Sequence, residues 1–173
     1  MKYVFIIMIF YSLLSCASSG NRVLHDSDKL DLTTITTVYA YQPQQENLQH
    51  NHTSASEVYF SVLEEQFDEH GINLIQGDIL NTKYSDIKEY NPAIIQEDAD
   101  LIILCILRAS SVLGLTSDYK ADYKFLDSKS GTLLYETKMI STTTVGIPSD
   151  ESKMRSAFKK GIMKFKEQHL LNN

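Results

Sequence analysis

Residues 100–107 read D-L-I-I-L-C-I-L, and this stretch decides the fold. Every residue from Leu101 to Leu107 is apolar, so the segment has no polar face to turn toward water. A continuous apolar run of this length, bounded by polar residues, is typical of a β-strand that is covered on both faces at the centre of a sheet. The sequence therefore predicts a central strand here, in a domain made of layers of sheet and helix.

The chain that follows this strand predicts a β-hairpin. Residues 119–126 alternate as Y-K-A-D-Y-K-F-L, and residues 132–137 read T-L-L-Y-E-T. Between them, D-S-K-S-G at 127–131 supplies residues that favour a turn. Alternation of apolar and polar residues indicates a hairpin with one face in water. Residues 108–118 are interpreted as a polar loop between the central strand and the hairpin.

Periodicity and capping residues predict the other elements. Residues 33–41 are dense in β-branched and aromatic residues and predict a first strand, which a polar loop follows at 44–53. Ser54 and Glu57 fit a capping box that opens an amphipathic helix, and Gly71 fits its left-handed end. A last helix follows Pro148, and its predicted buried stripe consists of Met154, Ala157, Phe158, Ile162 and Phe165.

Together these elements predict an α/β sandwich in the order β-α-β-(α)-β-β-β-α. The second strand covers residues 72–75, and the bracketed element is a short capped helix at 91–97. The predicted fold is a mixed sheet of about five strands with two main helices packed on it. The domain is predicted to span residues 32–173, after a flexible polar tether at 16–31.

Composition excludes several classes of protein. The chain has 173 residues, of which 43% are hydrophobic and 22% charged, with 7 Gly and 3 Pro, so it is not disordered, collagen-like or polytopic in a membrane. The formal net charge of -6 argues against a surface that grips nucleic acid. The sequence also lacks a phosphate-binding glycine loop, a dinucleotide-binding glycine triplet and a G-x-S-x-G nucleophile elbow.

The first fifteen residues are typical of a secretory signal peptide. Lys2 precedes an uncharged apolar run at residues 3–14, which is shorter than the roughly 20 residues needed to span a bilayer. The boundary that follows, Leu13-Leu14-Ser15-Cys16, resembles the lipobox of bacterial lipoproteins. Cleavage by ordinary signal peptidase after Ser15 or Ser18 is the alternative interpretation.

The lipobox resemblance implies that Cys16 becomes the first residue of the mature chain. In that family the cysteine carries a diacylglycerol and an N-acyl chain, which here would be the only bound groups and would anchor the protein to a membrane without a transmembrane helix. An Asp directly after the lipidated cysteine resembles the inner-membrane retention signal of enterobacterial lipoproteins. This chain has Ala17 and Ser18 after Cys16 instead. We therefore expect attachment to the outer membrane on its periplasmic side, with the outer face of the inner membrane as the alternative.

The order of elements resembles the small periplasmic α/β domains of the TolB N-terminal domain, CsgG, LpoB and several bacterial lipoprotein families. The residues that carry the likeness are the central strand from Ala99 to Ile103 and the hairpin at 121–135. The resemblance covers roughly residues 33–168. It implies a non-catalytic subunit, activator or adaptor of the cell envelope. Because the chain lacks visible pore-forming insertions of the CsgG type, a secretion channel is the weaker expectation.

Few side chains point to chemistry. His50 and His52 lack a third ligand at telling spacing, so a solvated loop is the simpler interpretation and no metal site is predicted. Ser110 beside Arg108 follows the central strand, where ligands bind in many α/β sheets, but no histidine is placed to activate it. Cys105 lies within the apolar run and is interpreted as a core residue. No catalytic residue is therefore predicted.

The last helix is the one strongly basic segment. Six basic residues face one acidic residue from position 153 onward, whereas residues 16–152 contain nine basic and 21 acidic residues. Such a helix face suits anionic lipid or an acidic partner, although a solvated face that shields the core is the commoner arrangement. The predicted contact residues are Arg108, Lys153, Arg155, Lys159, Lys160 and Lys164.

These observations predict a lipid-anchored, periplasm-facing lipoprotein that acts as a non-catalytic binding or assembly component of the cell envelope. Its expected partners are the membrane, through the acyl chains, and another envelope protein. An envelope hydrolase is one alternative and would need a pocket that unites Arg108, Ser110 or a histidine with a carboxylate. An oligomeric secretion-pore subunit is the other, and the sequence leaves the oligomeric state open.

Overall fold

The computed structural model describes residues 21–26, 34–46, 54–112, 115–139 and 149–169 of the chain. These residues form seven strands and two α-helices, with short 3₁₀ segments at Tyr84–Asp86 and Pro92–Ile94. The strands are β1 (Asn21–Asp26), β2 (Thr37–Ala40), β3 (Gln44–Glu46), β4 (Asn73–Gln76), β5 (Leu101–Val112), β6 (Leu115–Asp127) and β7 (Leu133–Met139). The helices are α1 (Ala55–Asp68) and α2 (Asp150–His169).

All seven strands belong to one mixed sheet in the order β1-β7-β6-β5-β2-β4. β2 and β3 both run parallel to β5, one after the other along the same edge, and β4 runs parallel to β2. β6, β7 and β1 continue the sheet on the other side of β5 in antiparallel pairs. This arrangement confirms the predicted α/β class, with a mixed sheet and two main helices.

The central strand β5 is buried from Leu101 to Leu107, as its composition predicts. Its odd-numbered side chains pack against α1 and α2, and its even-numbered side chains pack against the other apolar cluster. That second cluster includes Tyr84, Ile87 and Ile94, which belong to residues 77–96, named here the covering segment. Because Ile102 is fully buried whereas the Arg108 side chain is 27% exposed, this cover thins out toward the C-terminal end of β5.

Helix α1 begins without the predicted capping box. Ser54 has helical backbone angles (φ -76°, ψ -9°), and its side chain makes no capping hydrogen bond. An N-cap side chain reaches back to the helix from an extended backbone, so the helical conformation of Ser54 explains the difference. The other end agrees with the sequence: Gly71 has φ +66°, and the Ile72 N–H donates to Phe67 O at 3.2 Å.

Helix α2 covers β6 with aromatic contacts. All five residues of its predicted stripe are buried. The ring of Phe165 stacks on that of Phe125 with centroids 3.7 Å apart, and the Tyr123 hydroxyl donates to Phe158 O at 3.1 Å. Gly161 allows this close approach, because a Cβ at this position would overlap the Tyr123 ring.

The turn between β6 and β7 forms as its sequence predicts. The Gly131 N–H donates to Asp127 O at 2.8 Å, and the Ser130 N–H donates to Asp127 Oδ1 at 2.6 Å. Gly131 has φ +69°, a conformation that favours glycine, and it lies directly against the carbonyl of Asn91. The turn therefore also holds the covering segment against the sheet.

Three predicted irregular segments differ in the structure. Residues 21–26 of the predicted tether form β1, which pairs with β7, and residues 44–46 of the predicted loop form β3, which pairs with β5. Of the predicted loop at 108–118, residues 108–112 instead continue β5 and residues 115–118 begin β6, with Arg108 opposite Lys120. In each case the strand forms because a partner strand supplies hydrogen bonds, which local composition does not reveal. The sheet consequently has seven strands, not about five.

Candidate functional site

The predicted lipidation residues, Leu13, Leu14, Ser15 and Cys16, lie outside the described residues, as does His50-Asn51-His52. Their roles therefore stay predictions. The first described element is β1, which begins at Asn21, five residues after Cys16. Among the residues that the structure describes, neither helix is both long and apolar enough to cross a bilayer.

The basic side chains of α2 partly face the acidic side of α1. Glu65 accepts from Lys159 Nζ at 2.6 Å and from Arg155 Nη1 at 3.1 Å. The hydrogen bond and the charge of Lys159 lower the pKa of the Glu65 carboxyl. Lys166 Nζ similarly donates to Glu69 Oε2 at 2.9 Å. Two of the predicted contact residues, Arg155 and Lys159, therefore form ion pairs with α1 of the same molecule.

The other predicted contact residues of α2 are Lys153, Lys160 and Lys164. Lys153 Nζ lies 3.5 Å from Asp150 Oδ1, and Lys164 Nζ lies 3.9 Å from Glu167 Oε2. The residues of each pair are three positions apart on one helix, and at least one partner in each pair is exposed, so the pairs contribute little to stability. Lys160 is partly buried on the same helix.

Arg108 lies on the opposite side of the sheet from these lysines. It occupies an even-numbered position of β5, on the face that turns away from the helices, and its guanidinium forms ion pairs with Glu46 and Asp122. Arg108 and the predicted contact residues of α2 therefore do not form one surface. The sheet lies between them, because residue parity along β5 decides which face a side chain occupies.

The face that carries Arg108 contains a basic concavity that the sequence does not predict. It has a volume of about 530 Å³ and lies where the covering segment no longer shields the sheet. Four basic side chains and one carboxylate line it. We name it the basic groove, with the lining residues Arg22, Leu24, Arg108, Lys120, Asp122 and Lys138.

Two basic residues stand opposite each other in this groove. Arg22 of β1 and Lys138 of β7 are direct cross-strand partners, and both side chains are exposed. Like charges directly opposite each other destabilise a strand pair. Neither side chain has an ion-pair partner among the residues that the structure describes.

The carboxylate of Asp122 does not neutralise this pair. Its Oδ2 forms the ion pair with Arg108, and its Oδ1 accepts from the Met139 N–H at 2.9 Å. Both oxygens are therefore already committed to neighbours other than Lys138. The groove retains a net positive charge, which gives it the chemistry of an anion-binding surface.

Local sequence signals did not reveal the groove. Arg22 falls in the predicted tether, and Lys120 falls among alternating residues that indicate only a wet strand face. Arg22 and Lys120 come together because β1 pairs with β7, which neighbours β6 in the sheet. β1 and β7 are separated by more than a hundred residues in the sequence. The alternation at Lys120, Asp122 and Lys124 was the one usable signal, because it places three charged side chains on a single face.

Three reactive side chains, Cys105, Tyr59 and Tyr123, are enclosed in the core. Cys105 is fully buried, and burial raises the pKa of its thiol far above the usual value, so it carries no thiolate. Burial also raises the pKa of Tyr59 and of Tyr123. The Tyr59 hydroxyl is buried and has no hydrogen-bond partner among the described residues.

No metal-binding cluster forms in the part of the chain that the structure describes. Within residues 21–26, 34–46, 54–112, 115–139 and 149–169, no group of three or more His, Cys, Asp or Glu converges as a metal site. Ser110 belongs to β5, opposite Asp118 of β6, and its side chain is outside what the structure describes. The basic groove is therefore the feature that we take as the candidate functional site.

Comparison with known proteins yields similarity of fold. No family model matches the chain, and no curated protein is similar enough in sequence to count as a relative. Among solved structures, the PelC dodecamer from Paraburkholderia phytofirmans is similar with a TM-score of 0.54 at 11% identity, over 84% of this chain and 95% of that one.

Two further solved structures are similar with lower TM-scores, and no conclusion about this chain is based on them. The neuraminyllactose-binding hemagglutinin homologue from Helicobacter pylori has a TM-score of 0.42 at 12% identity, over 86% of this chain and 91% of that one. The lipoprotein GNA1162 from Neisseria meningitidis has a TM-score of 0.40 at 10% identity, over 80% and 99%. None of the three bears the name TolB, CsgG or LpoB, so that resemblance remains a prediction.

Proposed function

We propose that this protein is a lipid-anchored component of the bacterial cell envelope. In this proposal it faces the periplasm from the outer membrane and binds or assembles with another envelope protein without catalysing a reaction. The observation that carries the proposal is the Leu-Leu-Ser-Cys sequence ending at Cys16, a few residues before the first strand of the sheet. Acyl chains on Cys16 would hold the folded domain close to the bilayer.

The absence of catalysis in this proposal is supported by the state of the one other thiol. Cys105 is enclosed in the helix-side core, where it packs as a small apolar residue. A nucleophilic cysteine needs an accessible thiolate, and burial disfavours that charge. The open basic groove, by contrast, offers charge and surface for binding.

Replacement of each cysteine in turn tests the anchor. The full chain is expressed with its own leader in a bacterium, and palmitate labelling, precursor size and membrane fractionation are measured. We expect Cys16→Ala to remain at precursor size without label, whereas Cys105→Ala is processed and labelled as the wild type is. Labelling and fractionation of Cys16→Ala that match the wild type would refute the proposal and favour ordinary signal cleavage.

A second candidate function is that of a subunit in an oligomeric ring. The fold likeness to PelC, solved as a dodecamer, favours it. The sheet ends at β1 and β4, and exposed edge strands are a common route to pairing between copies. This candidate is compatible with the lipid anchor, because a ring of copies would carry one anchor for each subunit.

Mass measurement in detergent tests the second candidate. The acylated chain is examined by light scattering and by native mass spectrometry over a range of concentrations. A closed oligomer gives one defined mass that does not grow with concentration. A monomer throughout, with correct acylation, would refute the oligomer and leave the anchored adaptor as the proposed function.

A further inference from the structure

The basic groove lies beside the start of β1, the first described strand after Cys16. Arg22 is the second residue of β1, and its partner Lys138 is the penultimate residue of β7. Lys120 lies in the middle of β6, opposite Arg108 in the second half of β5. The register therefore gathers these four basic side chains beside the start of β1, on the face that the helices do not cover, while β5 and β6 continue beyond them.

The length of the link restricts how far this end can move from a membrane. Asn21 follows Cys16 by five residues, and a fully extended chain of that length spans about 18 Å. If Cys16 carries the acyl chains, the start of β1 stays within that distance of the bilayer surface. The groove then lies within reach of lipid head groups whenever the open face of the sheet turns toward the membrane.

The chemistry of the groove suits lipid phosphates. Arg22 and Lys138 place two cations side by side, and Asp122 is already committed to Arg108 and to the Met139 N–H. A phosphate bound between the two cations would relieve their repulsion. The Leu24 side chain, also part of the groove, is 46% exposed, which suits an interface that is polar at its surface and apolar beneath.

We propose that the basic groove docks the domain on anionic lipid head groups, through Arg22 and Lys138. This inference rests on the proposed lipid anchor, which supplies the proximity, and it adds the surface and the lipid class. It also replaces the predicted contact through α2, whose Arg155 and Lys159 are engaged with Glu65. Each basic side chain near an anionic surface strengthens such docking severalfold, and salt screens it.

The test uses the acylated full-length chain in vesicles. The protein is reconstituted through its own anchor into phosphatidylcholine alone or mixed with phosphatidylglycerol. A fluorophore on Leu24→Cys reports quenching by spin labels on the head groups, and the same fluorophore on Ser130→Cys marks the opposite end of the sheet. We expect stronger quenching at position 24 with phosphatidylglycerol, reversal of that gain by salt, and no lipid dependence at position 130.

Charge variants assign the effect to the groove. Arg22→Gln with Lys138→Gln should lower the docked-to-undocked ratio about thirtyfold at low salt, because two cations are removed. The matched control, Lys88→Gln with Lys129→Gln, removes the same charge from the covering segment and from the β6–β7 turn. It should leave the quenching at position 24 unchanged. Circular dichroism of both double variants checks that the fold is retained.

Each contrary outcome has a distinct meaning. A chain that floats with phosphatidylcholine vesicles but shows no dependence on phosphatidylglycerol keeps its anchor and overturns the docking proposal alone. Docking of the groove variant at the wild-type level overturns the docking proposal in the same way. Inorganic phosphate and chloride are also added at equal ionic strength. If phosphate abolishes the phosphatidylglycerol-dependent quenching at position 24 and chloride does not, the groove binds free phosphate instead of lipid head groups. A chain that fails to float with phosphatidylcholine overturns the anchor, and the docking proposal with it.

Discussion

Asp100 joins the beginnings of two parallel strands with a single carboxylate. Its Oδ2 accepts from the Thr36 N–H at 2.9 Å, from the Thr37 N–H at 3.0 Å and from the Thr36 hydroxyl at 3.0 Å. Its own N–H donates to Thr37 O at 2.9 Å. These hydrogen bonds, with the Thr36 N–H contributing most, lower the pKa of the Asp100 carboxyl. The residue fixes the register between β2 and β5 where the central strand begins.

Asp100→Ala should lower the free energy of unfolding by about 1 to 2 kcal/mol at neutral pH, because charge-assisted hydrogen bonds to two N–H groups are lost. The folded pKa lies below the unfolded value, so this stabilisation is present above the unfolded pKa and is lost as the pH falls through the folded one. Urea unfolding at several pH values checks this. The control is Asp98→Ala, which changes an exposed neighbouring carboxylate. If Asp100→Ala still has a lower free energy of unfolding than the wild type at the lowest pH, the explanation is contradicted.

Lys124 is a buried cation that connects the sheet to the covering segment. Only 6% of the residue is exposed, and its Nζ donates to Ile87 O and lies 3.4 Å from Glu136 Oε1. A buried ammonium persists where hydrogen bonds and a counter-ion compensate its lost hydration. Here one of the compensating groups is a main-chain carbonyl, which substitution of another side chain cannot remove.

Lys124→Met should destabilise the protein by about 1 to 3 kcal/mol, because the Ile87 carbonyl loses its buried donor while the volume of the side chain is kept. The covering segment should also open more readily, and hydrogen exchange at residues 84–95 would then accelerate more than exchange in α1. Lys88→Met removes an exposed lysine from the same segment and should have little effect. Equal unfolding midpoints for wild type and Lys124→Met would show that this contact is unimportant.

At the scale of elements, the packing of α2 on β6 depends on one missing side chain. Gly161→Ala would gain about 1 kcal/mol of helix propensity in an unpacked helix. Here the added methyl group meets the Tyr123 ring, which is fully buried and held by its hydrogen bond to Phe158 O. We therefore expect a net loss of about 1 to 2 kcal/mol, measured by thermal unfolding. Ser156→Ala on the same helix should be neutral or stabilising, and a stabilised Gly161→Ala would contradict the packing.

Elements with a strong local pattern could be predicted, and those that depend on a distant partner could not. The apolar run of β5, the turn at Gly131 and the buried stripe of α2 all carry their own signals, because periodicity and backbone preference act over a few residues. β1 and β3 are short and polar. They become strands only where β7 and β5 offer free hydrogen-bonding edges, and pairing over such a separation in sequence leaves no local mark.

At the scale of the whole molecule, the sheet divides the charges into two systems. On one side, the basic residues of α2 meet the acidic residues of α1, so the excess of lysine in the sequence of α2 is partly neutralised within the protein. On the other side, Arg22 and Lys138 lie together where β1 begins. The sequence did not indicate this second basic surface, because charge counted along a helix reveals neither its neighbours nor the face that a strand presents.

The distance between the anchor and the groove gives a prediction that concerns the molecule as one body. Insertion of a Gly/Ser segment between Ser19 and Gly20 lengthens the link without changing the lipobox, the groove or any described contact. Docking of an anchored domain is an intramolecular event, and its effective concentration falls roughly as the −3/2 power of link length. We therefore expect unchanged palmitate labelling and flotation, but weaker quenching at position 24 in phosphatidylglycerol vesicles as the insert grows.

A control insertion separates link length from disturbance of the chain. The same Gly/Ser segment placed after Asn173, at the other end of the sequence, should leave the quenching at position 24 at the wild-type level. Combined with Arg22→Gln and Lys138→Gln, the insertion near Cys16 should have no additional effect, because the charge that it separates from the bilayer is already gone. Quenching that is independent of link length would mean that the groove reaches the membrane without help from the anchor, and the proximity argument would then be wrong.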